Sequence, residues 1–224
     1  MMKEGKPEDG TVITASFQDS GRGQAGNSWE SEPGKNLLMS VILYPVTVRP
    51  EEQFVISQFV SLAVCDLVGR YASDVAVKWP NDIYAGNRKI AGILIEHSII
   101  GPRLAGSVAG IGLNVNQLVF TGSAPNPVSL AMLTAVSHDL ARITRELTER
   151  IDSRYRMVTG GEWTRLEEEY HRVLFRRGEW HRYQDSRGLF RGMIESVRND
   201  GMLMMRREDG TVSEYAFKEV DYIL

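Results

Sequence analysis

Three stretches of the 224-residue chain combine residue types that could act on an anionic ligand. In "GRGQAGNSW" (21–29), glycines at 21, 23 and 26 surround Arg22, and Trp29 closes the stretch. Glycines let a backbone approach a phosphate or carboxylate and offer it N–H groups. Arg22 adds a permanent cation with a forked set of donors, and Trp29 could screen a closed site from water. The spacing is neither that of a phosphate-binding P-loop nor that of a dinucleotide fingerprint. In "KWPNDIY" (78–84), Lys78 follows an alternating apolar run, and Trp79-Pro80 with Asn81-Asp82 bends the chain immediately beyond it. In "GIGLNVN" (110–116), the two-residue period of a strand puts Gly110, Gly112, Asn114 and Asn116 on one face, open to a ligand. Each stretch also has a plain structural reading: a surface loop, a solvated edge lysine, and a bulge or tight sheet contact.

Other chemistry is thinly represented. The histidines at 97, 138, 171 and 181 are scattered, and His138 and His171 sit in charged helical stretches that read as solvated. The single cysteine, Cys65, lies in the apolar run "FVSLAVCDLV" and reads as a buried helix residue; it can form no internal disulfide, and no zinc spacing is present. A net charge of −3 lacks the basic field of a nucleic-acid binder. No apolar run reaches the ~18 residues of a membrane span, and the polar start "MMKEGKPEDG" lacks a signal-peptide core. A cytoplasmic protein is the expectation.

The elements that must hold the three stretches follow from the hydrophobic pattern. Strands are predicted over 11–17, 36–45, 74–79, 89–100 and 107–117, the last three consecutive and mostly antiparallel. A densely apolar helix is predicted over 49–72, with Pro50, Glu51 and Glu52 suited to its first turn. Further helix is expected over 129–158, with Ser137 capping its longer part, and over 161–175. From 176 onward, short alternating runs separated by "DSRG", "NDG" and "EDG" give a small all-β module. Strands and helices do not alternate one-to-one, which favours α+β architecture.

In order along the chain, "GRGQAGNSW", "KWPND", "KIAGILIE" and "GIGLNVN" resemble the catalytic domain of a biotin protein ligase of the type without an N-terminal DNA-binding domain. The resemblance spans most of residues 10–224. It implies a class II synthetase-like α+β domain over 1–175, with a mixed, mostly antiparallel sheet packed with helices, and a small SH3-like β-barrel over 176–224. It also implies two reactions. Biotin and ATP, the latter with Mg²⁺, give biotinyl-5'-AMP and pyrophosphate. The biotinyl group then passes to a lysine of a biotin carboxyl carrier protein domain. Lys78 would be the fixed cation near the carboxylate and α-phosphate, and Arg22 would arrive as the glycine loop closes. Gln18 would meet the ureido group of biotin. Gly21, Gly23, Gln24, Trp29, Gly92 and Gly112 would line the biotin and adenylate site, and Asn114 would contact the nucleotide or its metal. The metal ligands stay unassigned, no nucleic acid or membrane contact is implied, and a homodimer is allowed.

Two departures from the family pattern stand out. Members carry a Ser/Thr-Asn segment upstream of the first strand, whereas here ten residues precede Thr11 and none reads Ser-Thr-Asn. The expectation is a chain truncated at its N-terminus relative to the family, short of one wall of the biotin pocket. Gln24 replaces the second arginine of many members. Two other readings stay open: a lipoate or octanoyl ligase or transferase of the same fold group, and a non-catalytic remnant that binds biotin or its carrier.

Overall fold

The computed structural model describes residues 6–24, 28–122, 124 and 126–223. A six-stranded sheet runs in the order β1 (Val12–Ala15), β4 (Leu37–Leu43), β8 (Arg103–Leu113), β7 (Arg88–Ile100), β6 (Asp82–Ala85), β5 (Val75–Lys78). Every named pairing in it is antiparallel, and single parallel bridges join Val77 to Leu174 and Lys89 to Pro127. The short β2 (Gly21–Arg22) and β3 (Ser28–Trp29) pair only with each other, so both ends of the glycine-rich stretch are tied together. Gly26 lies outside the described residues.

Helix α1 (Phe54–Val68) is apolar nearly all round and is buried on almost every side, as such a helix must be. It joins the odd-numbered residues of β4, β7 and β8 in one buried cluster. α3 (Leu140–Thr159) adds only one apolar stripe, through Ile143, Leu147 and Ile151, and α4 (Trp163–Arg172) adds Leu166 and Tyr170. Helices therefore cover one face of the sheet and leave the even-numbered face to the cleft described below.

Local chemistry moved several boundaries. The helical region expected from 129 breaks at Ala135, whose φ of 59° ends α2 (Leu130–Thr134). Ser129 caps α2, and α3 is capped by Asp139, whose carboxylate accepts from the Ala141 N–H at 2.9 Å, rather than by Ser137. β6 falls where only turns were expected: its four residues are too few to show a period, yet they bond to strands on both sides. His138 and His171 are partly buried rather than fully solvated. The backbone of His138 exchanges hydrogen bonds with the Asn116 side chain, and the His171 ring accepts from the Val197 N–H at 2.9 Å.

Five further strands, β9 (Trp180–Asp185), β10 (Gly188–Val197), β11 (Leu203–Arg207), β12 (Val212–Tyr215) and β13 (Val220–Tyr222), form a second antiparallel sheet. Its apolar side continues the buried cluster through Tyr183, Ile194 and Leu203. Trp79, at the bend beyond Lys78, binds the two sheets together: its indole N–H donates to the Gly201 carbonyl at 3.0 Å, and its ring meets Phe217 edge-on.

Gly201 has a φ of +90°, and a Cβ there would sit 2.9 Å from the Phe54 ring. Gly201→Ala therefore carries both a backbone and an overpacking cost, on the order of 2–4 kcal/mol. Gly210 has a similar φ of +84° with nothing within 4 Å of the added carbon. Gly210→Ala should lose only the backbone part, about 1–2 kcal/mol. Urea denaturation of both variants checks the order; equal losses would mean that the second sheet does not press on α1.

Candidate active site

The even-numbered face of the large sheet is nearly stripped of side chains at its centre. Asp82, Gly92, Gly112 and Leu38 stand side by side across β6, β7, β8 and β4. The next row contains Leu94, Gly110 and Ser40. The resulting trough opens into a cleft of about 690 Å³, walled by the β2–β3 ribbon, the bend at 79–81 and residues from β13.

Trp29 lies in this trough. A Cβ on Gly112 would come within 2.7 Å of the indole Cζ2 and Nε1, and one on Gly92 within 3.0 Å of Cζ3. The glycines thus serve close packing by the chain's own aromatic ring, where the sequence suggested a face open to ligand. Gly21 lets the ribbon close, since a Cβ there would fall 2.5 Å from the Trp29 carbonyl oxygen. Trp29 Nε1 is buried without a hydrogen-bond partner among the described residues.

Lys78 ends β5, opposite Asp82 in the hairpin. Its ammonium is half-buried and stands 4.8 Å from the Tyr222 ring centroid and 5.1 Å from that of Tyr84. Among the described residues it has no ion-pair partner. Burial draws the ammonium below the usual lysine range, and Lys89 and Arg176 push the same way, while Asp82 and Asp221 oppose them. The Asp82 carboxylate is engaged by Lys89 at 2.7 Å.

Arg22 stands at the mouth. Its guanidinium meets Glu96 at 3.3 Å, and the two side chains are 74% and 55% exposed. A pair this open is worth about 0–1 kcal/mol, so it restrains Arg22 only weakly. The lining as a whole is not cationic: Arg22, Lys78, Lys89 and Lys218 face Asp19, Asp82, Glu96 and Asp221. Lys78 differs from Arg22 and Lys89 in being both half-buried and without an ion pair.

Of the sequence-predicted residues, Gln18, Arg22, Gly23, Gln24, Trp29, Lys78, Gly92 and Gly112 line the cleft. Gly21 supports it from behind. Asn114 does not reach it. β8 ends at Leu113, so the strand alternation stops one residue short. Asn114 is buried, its amide donates to the Val128 carbonyl at 3.1 Å, and its Oδ1 has no partner. Lys89 and Asp82 were present in the quoted motifs yet received no role. Lys218, Asp221 and Tyr222 had no signal in the sequence, because only the docking of the second sheet brings them here.

Comparison with known proteins agrees with this architecture. Residues 1–114 match the biotin/lipoate A/B protein ligase family. The bifunctional ligase/repressor BirA of Bacillus spizizenii is 26% identical over 93% of this chain, and the chain spans 65% of that protein's length. The biotin–[acetyl-CoA-carboxylase] ligase of Mycobacterium tuberculosis is 33% identical over 65% of this chain and 54% of its own. The structure of the Aquifex aeolicus biotin protein ligase in complex with biotin and ATP superposes with a TM-score of 0.79 at 23% identity, covering 98% of this chain and 91% of that one. With a family match over half its length, the chain belongs to the biotin/lipoate A/B protein ligase family.

Proposed function

We propose that the chain is an ATP-dependent biotin ligase acting on a biotin carboxyl carrier protein domain in the cytoplasm. The observation that carries this reading is the half-buried ammonium of Lys78, without an ion-pair partner among the described residues, on the wall of a cleft that Arg22 and the glycine ribbon also line. The names of the relatives support it.

The first reaction brings a carboxylate oxygen onto the α-phosphorus of ATP. A C–O–P linkage forms and pyrophosphate leaves. Two anions must approach, so the site has to supply positive charge that is not already neutralised. A unit charge about 4 Å away is worth about 4 kcal/mol at an effective dielectric near 20, against about 1 kcal/mol in bulk water. Half-buried Lys78 lies nearer the first case and exposed Arg22 nearer the second, until the ribbon closes. In the second reaction the amine of the carrier lysine attacks the acyl carbon. The amide forms, AMP leaves with the bonding electrons, and the proton from nitrogen passes to solvent.

Gln18 is assigned to the biotin head group, and Gly23 and Gln24 to the ligand's flank. Asn114 is buried away from the cleft and receives no ligand contact in this proposal. Residues 176–224 are proposed as a β domain that completes the cleft wall. Among the described residues no group of three or more His, Cys, Asp or Glu converges. That donor set suits a magnesium ion carried mainly by phosphate oxygens and water, as is usual for this cation with ATP.

Lys78→Ala should lower kcat/KM for adenylation by about 10²–10³, with little change in the urea midpoint. Pyrophosphate release with biotin, lipoate and octanoate in turn is the measurement. Comparable rates in variant and parent reject the role of Lys78, and turnover of lipoate or octanoate instead of biotin rejects the substrate. The charged form of Lys78 is the useful one, and burial makes it lose its proton at lower pH than an ordinary lysine. kcat/KM should therefore be full below that lowered value and fall as pH rises through it. Lys78→Arg should push the alkaline fall upward, which a pH profile of adenylation will show.

A further inference from the structure

Nothing in the adenylation reaction itself explains why Lys78 stands on tyrosine rings. Tyr84 is local, since it pairs with Ala76 in the same hairpin. Tyr222 comes from β13, at the far end of the chain. It is fixed there by an edge-on contact with Tyr183 at 5.3 Å and a tilted one with Phe175 at 6.3 Å. Phe175 in turn meets Tyr84 edge-on at 5.3 Å. The ammonium therefore rests on an aromatic cluster to which both sheets contribute.

Two observations indicate that the rings, rather than their hydroxyls, matter. The phenol oxygens of Tyr84 and Tyr222 are both buried without hydrogen-bond partners among the described residues. Burial also holds both phenols well above the usual tyrosine range, so the rings are neutral. A neutral ring attracts a cation through its electron-rich face, and more strongly where water is excluded. It does so without a negative charge. A carboxylate in that position would hold Lys78 equally well and would also repel the incoming carboxylate and phosphate. The charged groups acting on Lys78 are Asp82 and Asp221 on one side of the balance and Lys89 and Arg176 on the other. Asp82 is itself occupied by Lys89.

We infer that Tyr222 is a positioning residue for adenylation: its ring, delivered by the second sheet, holds the Lys78 ammonium at the cleft wall through a cation–π contact while leaving its charge available to substrate. This rests on the biotin-ligase reading, and two readouts separate the fate of the two claims. The first needs no substrate. In protein carrying ¹³C-labelled lysine, with the Lys78 signal assigned by its loss in Lys78→Arg, the ε-CH₂ protons should be shifted upfield by the tyrosine rings. Tyr222→Leu should remove the Tyr222 share of that shift and leave the share due to Tyr84, and Tyr222→Phe should keep the whole. The second is pyrophosphate release from biotin and ATP. Tyr222→Leu should lower kcat for adenylation about tenfold with KM for ATP changed less than threefold, and Tyr222→Phe should recover most of the rate.

An unshifted Lys78 signal in the parent protein overturns the inference, as does an equal loss of rate in the Phe and Leu variants. A ring-dependent signal with no adenylation by the parent leaves the contact standing and overturns the biotin-ligase reading instead. If Tyr222→Leu unfolds the protein, Tyr222→Met supplies the non-aromatic comparison for both readouts.

Discussion

A lysine partly withdrawn from water with no ion-pair partner among the described residues is an expensive arrangement, and the cleft is organised around one. Desolvation drives the Lys78 ammonium toward its neutral form. An adjacent carboxylate would relieve that cost and at the same time cancel the charge. The fold instead gives the ammonium two ring faces, and it diverts the nearest carboxylate, Asp82, to Lys89. The charge is tolerated and remains unspent. The other features of the site follow from keeping it so: a hairpin that aims the lysine, a second sheet that carries a ring to it, and a cationic ribbon that overhangs it.

The division of labour between the cations is one of exposure. Arg22 is solvated and only loosely held by Glu96. Lys78 is fixed by its strand, by the bend at Trp79, and by the indole hydrogen bond that ties this bend to Gly201. One firmly placed charge and one loosely held charge suit the proposed reaction, in which two ligands meet in an enclosed site.

Much of this was legible in the sequence. The strand ending at Lys78 and the bend beyond it are local, as are the glycines at 92 and 112 and the apolar helix α1, and the structure has them where pattern and turn chemistry put them. What was not legible was either too short or too distant. β6 has too few residues to show a period. Asn114 was placed by an alternation that the strand abandons one residue earlier, at Leu113. Tyr222 and Asp221 reach the cleft only because the second sheet packs against the bend at Trp79, and no local spacing records such docking. The trough was read as a place of close approach; Trp29 makes that approach here, and Gly92 and Gly112 also line the cleft.

That occupancy binds three positions to one another. With the indole flush against two strands, residue 112 has no room for a methyl group while residue 29 remains tryptophan, and residue 92 has room only if the ring shifts slightly. A smaller residue at 29 would free both positions but would leave a bare channel along the backbone. A side chain at 112 is therefore costly in isolation, whereas pairing it with a smaller residue at 29 removes the clash. Lineages that lost the indole should consequently tolerate alanine or serine at the matching strand positions.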